Sequence, residues 1–268
     1  MLIHGKQMHL QCTAEDIGRY VILPGDPGRC AVIAQLLDDA QEISYNREFH
    51  VYTGHLNGER VTVCSTGIGG PSAAIALEEL VECGADTFIR VGTCGGVDAA
   101  VCGGDVVVAT AAVRQEGTSR EYLPLEYPAA ASYPVVHALA NACEALGYRT
   151  HVGVVQSKDS FYGEIRPQCQ PIAADLKEKW TAWTAAGVLA SEMEAAALFT
   201  AGAAEVIAKS VFKAYTSNGA TLSVLLYLRA FEDGDFTSAW GIGAVLLVLV
   251  LLINLAARLA KTKLKQKQ

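Results

Sequence analysis

Short runs of β-branched and aliphatic residues, each closed by a glycine-bearing turn, recur through the first two thirds of the chain, with stretches of helical spacing between them. Residues 20–23 run into Gly25-Asp26-Pro27-Gly28, residues 61–64 into Ser65-Thr66-Gly67-Ile68-Gly69-Gly70, and residues 87–91 into Gly92-Thr93-Cys94-Gly95-Gly96; residues 105–110 and 151–156 read as further strands. Residues 29–39 and 71–83 place apolar side chains at helical intervals, and a helix over 173–183 follows a polar loop over 157–171. Another helix is expected from Ser191, its hydroxyl capping the start ahead of Glu192 and Glu194. Strands alternating with helices predict an α/β fold with a mostly parallel sheet covered on both faces. Ligands of such sheets gather at the carboxyl ends of the strands, where these glycine turns lie.

Two of the turns bring cations with them. The one at Gly25 opens a helix and offers backbone N–H groups together with the Arg29 guanidinium; the one at Gly92 follows a strand that carries Arg90 and adds the hydroxyl of Thr93. Taken together they form a small cradle for a free oxyanion; taken singly, each is equally an ordinary chain reversal. Neither matches a phosphate-binding P-loop or the dinucleotide fingerprint, so ATP and NAD find no support. In Ser191-Glu192-Met193-Glu194 a carboxylate can accept hydrogen bonds from the two vicinal hydroxyls of a ribose, or simply mark a charged helix start.

The formal charge is −7, although Arg258, Lys261, Lys263, Lys265 and Lys267 supply five positives to a tail with no acid after Asp235. The body before the tail is thus strongly acidic, which argues against nucleic-acid binding. The eight cysteines show no CxxC pair and no zinc spacing, and read as reduced, mostly core thiols. No apolar run near the N-terminus is long enough for a secretory signal, so cytoplasmic synthesis is expected.

In combination the motifs resemble the uridine phosphorylase branch of the hexameric nucleoside phosphorylases. The matching pieces are MHLQCTAEDIGRYVILPGDPGR, SYNREF, VCSTGIGGPS, FIRVGTCGG, GDVVVAT, LPLEYP, SKDSFYGEIR and SEMEAAALF, covering roughly residues 9–203. The resemblance implies a mixed sheet flanked by helices and a phosphorolysis reaction: nucleoside plus inorganic phosphate gives ribose 1-phosphate and free base, with no other cofactor. It implies that phosphate is held by Gly25, Arg29, Arg90 and Thr93 with Arg47 of a neighbouring subunit, Arg29 and Arg90 being the catalytic cations. Ribose would be held by Met193 and Glu194 with a neighbour's His9, and the base by Phe161, Glu164 and Arg166. Each site is then shared within a homo-oligomer, a dimer unit or a hexamer. Glu48, Ile68 and Ser72 would correspond to a monovalent-cation site at the interface. His50, His55, His137 and His151 match no motif and read as surface or packing residues.

One position departs from the pattern. Uracil-binding relatives present a glutamine where this chain has Glu164, with Gln168 as an out-of-register substitute. A carboxylate accepts from the uracil N3–H but cannot donate to O2, and it repels a base leaving as an anion. Uridine is the expected substrate, with a purine nucleoside as the alternative.

Past about residue 203 the character changes. The family continues there with a strand and a final helix, neither of which is recognisable. Residues 240–257 contain one strongly polar side chain, Asn254, with Trp240 at one end and the basic cluster at the other, as a transmembrane helix requires. The expected divisions are a phosphorylase domain over 1–203, a divergent connecting segment over 204–239, a membrane span over 240–257 and a basic tail over 258–268. Residues 221–268 resemble the end of an ABC-type phosphate transporter permease. The basic tail predicts a cytoplasmic C-terminus, which with a single span sets the body on the opposite side; the simplest explanation is a hybrid chain, with an inactive membrane protein as the rival to an active enzyme.

Overall fold

Asp26 starts the first helix: its side chain accepts from the Gly28 N–H at 2.9 Å, and Pro27, which has no N–H to lose, takes the first helical position. Proline recurs at the start of two later helices, as Pro71 and Pro134, there without a side-chain cap. The computed structural model describes residues 2–216. In chain order, the short ribbon β1 (Leu2–Ile3) and β2 (Lys6–Gln7) is followed by β3 (Tyr20–Pro24), α1 (Pro27–Ala34), β4 (Asp38–Asn46), β5 (Phe49–Leu56), β6 (Glu59–Cys64), α2 (Gly70–Glu82) and β7 (Thr87–Val91). Then come β8 (Gly95–Gly96), β9 (Val106–Gln115), α3 (Thr118–Tyr122), β10 (Ala129–Ala130), α4 (Tyr133–Ala145) and β11 (Thr150–Lys158). The last described elements are α5 (Phe161–Ile165), a 3₁₀ turn (Pro167–Cys169), α6 (Ala173–Ala185), β12 (Ala190–Glu192) and α7 (Ala195–Thr216).

The strands form two five-stranded sheets rather than one, in the orders β4-β5-β6-β3-β7 and β10-β9-β11-β12-β8. Two of the four pairings in each sheet are parallel, β3 with β6 and β7, and β11 with β9 and β12, so the expected mostly parallel sheet is only half parallel. Antiparallel pairs at the edges make both sheets mixed. The expected helix over 29–39 stops at Ala34, because the chain turns and Asp38 already begins β4.

Alternation along β3 divides the core. Val21 and Leu23 pack with Leu77, Leu80 and Leu198 on one side of the sheet, whereas Tyr20 and Ile22 pack with Cys30, Val61 and Val63 on the other. The first sheet is therefore covered on both faces, by α2 and the start of α7 on one and by α1 on the other. A smaller cluster sets Ala112, Val155 and Ala190 of the second sheet against Ala195 and Ala196. Four of the eight cysteines, at 12, 30, 64 and 83, are buried, and all eight are free thiols; Cys94, Cys102 and Cys169 are exposed, so the expectation of mostly core thiols holds for half of them.

Residues 1–205 make one compact unit. The second unit, residues 206–268, is described only over the helical stretch up to Thr216. The expected membrane span over 240–257, the basic tail and the permease-like segment lie outside the described residues; among the described residues no helix is long and apolar enough to cross a membrane.

Candidate active site

β3 and β7 run side by side in register, Leu23 opposite Arg90 and Pro24 opposite Val91, so the turns at Gly25 and Gly92 leave the same sheet edge. Arg90 crosses the space between them. Its guanidinium donates to Oε2 of Glu194 at 2.6 Å and to Oγ1 of Thr66 and the Leu23 carbonyl, both at 3.3 Å. The other carboxylate oxygen of Glu194 accepts from the Gly69 N–H at 2.7 Å. With side-chain exposures of 20% and 6%, the Arg90–Glu194 pair is shielded from salt and solvent. Two glycines make the close approach feasible. A Cβ on Gly25 would stand 3.3 Å from both terminal nitrogens of Arg90, and one on Gly67, whose φ is +66°, would stand 2.7 Å from Cγ of Glu48.

Gly25, Arg90 and Glu194 are thus brought together, and Met193 lies half-buried beside Glu194. Arg29, in the first turn of α1, and Thr93, on the Gly92 turn, are exposed, and their side chains form no hydrogen bond or ion pair among the described residues. Arg47 is also exposed, in the left-handed region at φ 53°. Its neighbour Glu48 accepts from the Ser72 hydroxyl at 2.8 Å, which holds the carboxyl below its usual range. Ile68, the third residue of the expected cation site, is 80% exposed.

His9 is fixed by a carboxylate that the sequence reading passed over. Glu79 on α2, nearly buried, accepts from the His9 N–H, from the Leu10 N–H and from the ring Nδ1 at 2.7 Å. Nε2 is the ring atom left to meet a ligand. The other histidines behave as packing residues: His50 stacks on Tyr45 at 4.1 Å and faces Glu42, His137 stacks on Tyr133, and His151 pairs with Asp105. His55 is exposed.

The expected helix start at Ser191 is corrected. Residues Ala190–Glu192 form β12, and α7 begins at Ala195. The cap is Glu192, whose Oε2 accepts from the N–H groups of Glu194 and Ala195, both at 2.8 Å, with the Ser157 hydroxyl accepting from Ala196. A carboxylate at a helix N-terminus is stabilised by the dipole, yet burial dominates and pushes the Glu192 carboxyl up. The two acids of this stretch therefore divide the work, Glu192 holding the helix and Glu194 the arginine.

Ser191 is released for another network. It bonds Lys158 and Gln156 and lies 2.7 Å from a Glu164 oxygen, and the Lys158 ammonium lies 2.9 Å from Glu164. The Glu164 carboxylate is therefore paired. Phe161 packs edge-on to Tyr162, and the Arg166 guanidinium lies 4.7 Å from the centre of the Tyr162 ring. Gln168 and Glu164 line a cavity of about 600 Å³ together with Trp180 and Trp183. This group meets the Arg90–Glu194 pair through β12, whose central residue is Ser191 and whose end leads into Glu194. Glu79, Glu192 and Lys158 had no local signal, since each acts on a residue remote in sequence or, for Glu192, replaces an equally plausible cap one position away.

The profile of the phosphorylase superfamily matches residues 19–212, most of the chain. The chain belongs to the phosphorylase superfamily. Among relatives in this superfamily, the uridine phosphorylase of Treponema pallidum is 52% identical over 196 residues, covering 73% of this chain and 76% of that protein. The guanosine phosphorylase of Halorubrum lacusprofundi is 44% identical over 194 residues, covering 72% and 76%. The crystal structure of uridine phosphorylase from Vibrio fischeri superposes with a TM-score of 0.70 at 36% identity, over 76% of this chain and 82% of that one. The superfamily fold of mixed sheets flanked by helices is the one described above, so the α/β expectation holds.

Proposed function

We propose that the chain is a pentosyltransferase that cleaves uridine with inorganic phosphate to give uracil and ribose 1-phosphate. The observation that supports this best is the Arg90–Glu194 pair at 2.6 Å beside the Gly25 turn, which sets an anion-binding cation next to a carboxylate with lone pairs to spare for hydroxyls. In this reading Gly25, Arg29, Arg90 and Thr93 hold phosphate together with Arg47 of the partner subunit. Met193 and Glu194 hold the ribose with the partner subunit's His9, its Nδ1 anchored so that Nε2 meets the 5′-hydroxyl. Phe161, Glu164 and Arg166 receive the base. Glu48, Ile68 and Ser72 are proposed as a monovalent-cation site at the subunit contact.

The reaction needs no nucleophilic side chain. A phosphate oxygen bonds to C1′ as the bond from C1′ to the base nitrogen breaks, the electron pair leaving with the base. The sugar is cationic in the transition state, and the bound phosphate dianion faces it. Phosphate placed beside Arg90 draws on a guanidinium already fixed in position, so little reorganisation accompanies the step. The retained arginines distinguish this site from one that uses water. Identity to a guanosine phosphorylase supports a second reading, cleavage of a 6-oxopurine nucleoside at the same site. We place the phosphorylase domain at 1–203, the connecting segment at 204–239, the membrane span at 240–257 and the basic tail at 258–268, on the change of composition past residue 203.

The test offers the purified full chain uridine, thymidine, inosine and adenosine with and without inorganic phosphate. Uracil release that requires phosphate is the expected result; release without phosphate would assign a nucleosidase, and no release from any of the four would favour the inactive hybrid.

A further inference from the structure

The cavity beneath α6 is lined by a chain of polar groups whose proton directions are fixed from one end. The indole N–H of Trp183 can only donate, so the Gln115 atom 2.9 Å away is its carbonyl oxygen. That oxygen also faces Gln156 at 2.6 Å, which must therefore turn its NH₂ group toward it. The Gln156 oxygen is left facing Ser191 at 2.6 Å and takes the only proton the hydroxyl has. Ser191 then has no proton for Glu164, although the two oxygens lie 2.7 Å apart. The partner that satisfies this carboxylate oxygen is Lys158, 2.9 Å away, which also donates to the Ser191 oxygen.

Three polar groups are left over on the wall of the cavity. Lys158 has three N–H donors, two of which are used. Neither Oε1 of Glu164 nor the NH₂ group of Gln115 has a hydrogen-bond partner among the described residues. Lys158, Glu164 and Gln115 all line the cavity of about 600 Å³, a volume suited to a nucleobase with part of its sugar. The side chains of Lys158 and Glu164 are 9% and 17% exposed. The pair is thus mostly covered by protein, and its remaining donor and acceptor face the cavity.

We propose that Lys158 and Glu164 act as one unit that selects bases in which a ring N–H adjoins a carbonyl, Glu164 accepting from the N–H and Lys158 donating to the oxygen. The proposal rests on the nucleoside-cleaving reading above and adds a residue to it. Uracil, thymine, hypoxanthine and guanine carry this edge; cytosine and adenine, as nucleosides, present a bare ring nitrogen beside an amino group there, which leaves the ammonium facing a donor and the carboxylate facing a lone pair. The pair also removes the difficulty that a lone glutamate poses. Glutamate and lysine together are neutral, and the ammonium lies where negative charge gathers on the departing base.

The experiment is titration calorimetry of the full chain with 1-methyluracil, 9-methylhypoxanthine, 1-methylcytosine and 9-methyladenine, bases whose methyl group blocks the nitrogen that carries the sugar in a nucleoside, in phosphate buffer, for the native protein and for Lys158→Met and Glu164→Gln. The native protein is expected to prefer uracil over cytosine, and hypoxanthine over adenine, by about 10-fold or more. Lys158→Met should bring uracil down to the level of cytosine. Glu164→Gln, whose amide oxygen still accepts from the N–H, should weaken uracil by a smaller factor. A native protein that binds the four bases alike or not at all overturns the proposal, as does a folded Lys158→Met variant that keeps the uracil preference; should that variant not fold, the native selectivity and Glu164→Gln decide. Selective base binding without phosphate-dependent cleavage would sink the proposed function and leave this inference standing. Cleavage of cytidine as readily as uridine would do the reverse.

Discussion

Arg90 combines two duties that different substitutions separate. It neutralises Glu194, whose side chain is 6% exposed, and it presents a fixed cation at the Gly25 turn. Arg90→Ala leaves that carboxylate buried and unpaired, so the variant is expected to lose about 3–5 kcal/mol in denaturant unfolding. Arg90→Lys keeps a charge but loses the planar fork that serves Glu194, Thr66 and Leu23 together. It should fold, and its kcat/KM for phosphate should fall by about 100-fold or more; a lysine variant with native phosphate kinetics would remove Arg90 from the anion site. At this scale the sequence was informative where a glycine stands next to a cation, as at Gly25 and Arg90. It was silent where the partner comes from afar: Glu79 meets His9 across 70 residues, and Lys158 meets Ser191 across 33. The puzzle of Glu164 arose from reading that side chain without its lysine.

At the level of elements, several strands and their closing turns were legible because parallel strands read as apolar runs and glycine turns close β3 and β7. The strands expected over 20–23 and 87–91 appear as Tyr20–Pro24 and Thr87–Val91. The antiparallel β4 was not, since its burial pattern is largely exposed and it lacks an apolar face to announce it. The start of α7 was misplaced because Ser191 and Glu192 are both competent caps, and only the pairing of β12 with β11 decides between them. Glu192 makes this junction sensitive to pH. Burial raises its carboxyl above the ordinary value of 4.5, so the stability it contributes is full below about that pH and declines as pH rises through its value in the folded protein. Glu192→Gln does not titrate. Its unfolding free energy relative to the native protein should therefore improve as pH rises from 4.5, by at most about 1.4 kcal/mol per pH unit. A difference independent of pH would show that the carboxyl is not displaced.

For the molecule as a whole, the fold of residues 1–205 was readable in class, while its division into two sheets was not, because strand order is set by contacts between distant segments. The proposed sharing of sites makes a strong demand on assembly. Arg47→Ala and Arg90→Ala each disable every site in a pure oligomer. Refolded together, they should restore activity to about a quarter of the sites, those that combine an intact Arg90 with an intact Arg47 from the partner subunit. Mixtures no more active than either variant would place Arg47 in its own subunit's site or outside any site. All of this depends on the sugar leaving attached to phosphate. Phosphorus NMR of a uridine reaction follows that directly: one ribose 1-phosphate should form for each uracil released, with an equal loss of inorganic phosphate. Uracil accompanied by free ribose, with phosphate unchanged, would contradict phosphorolysis.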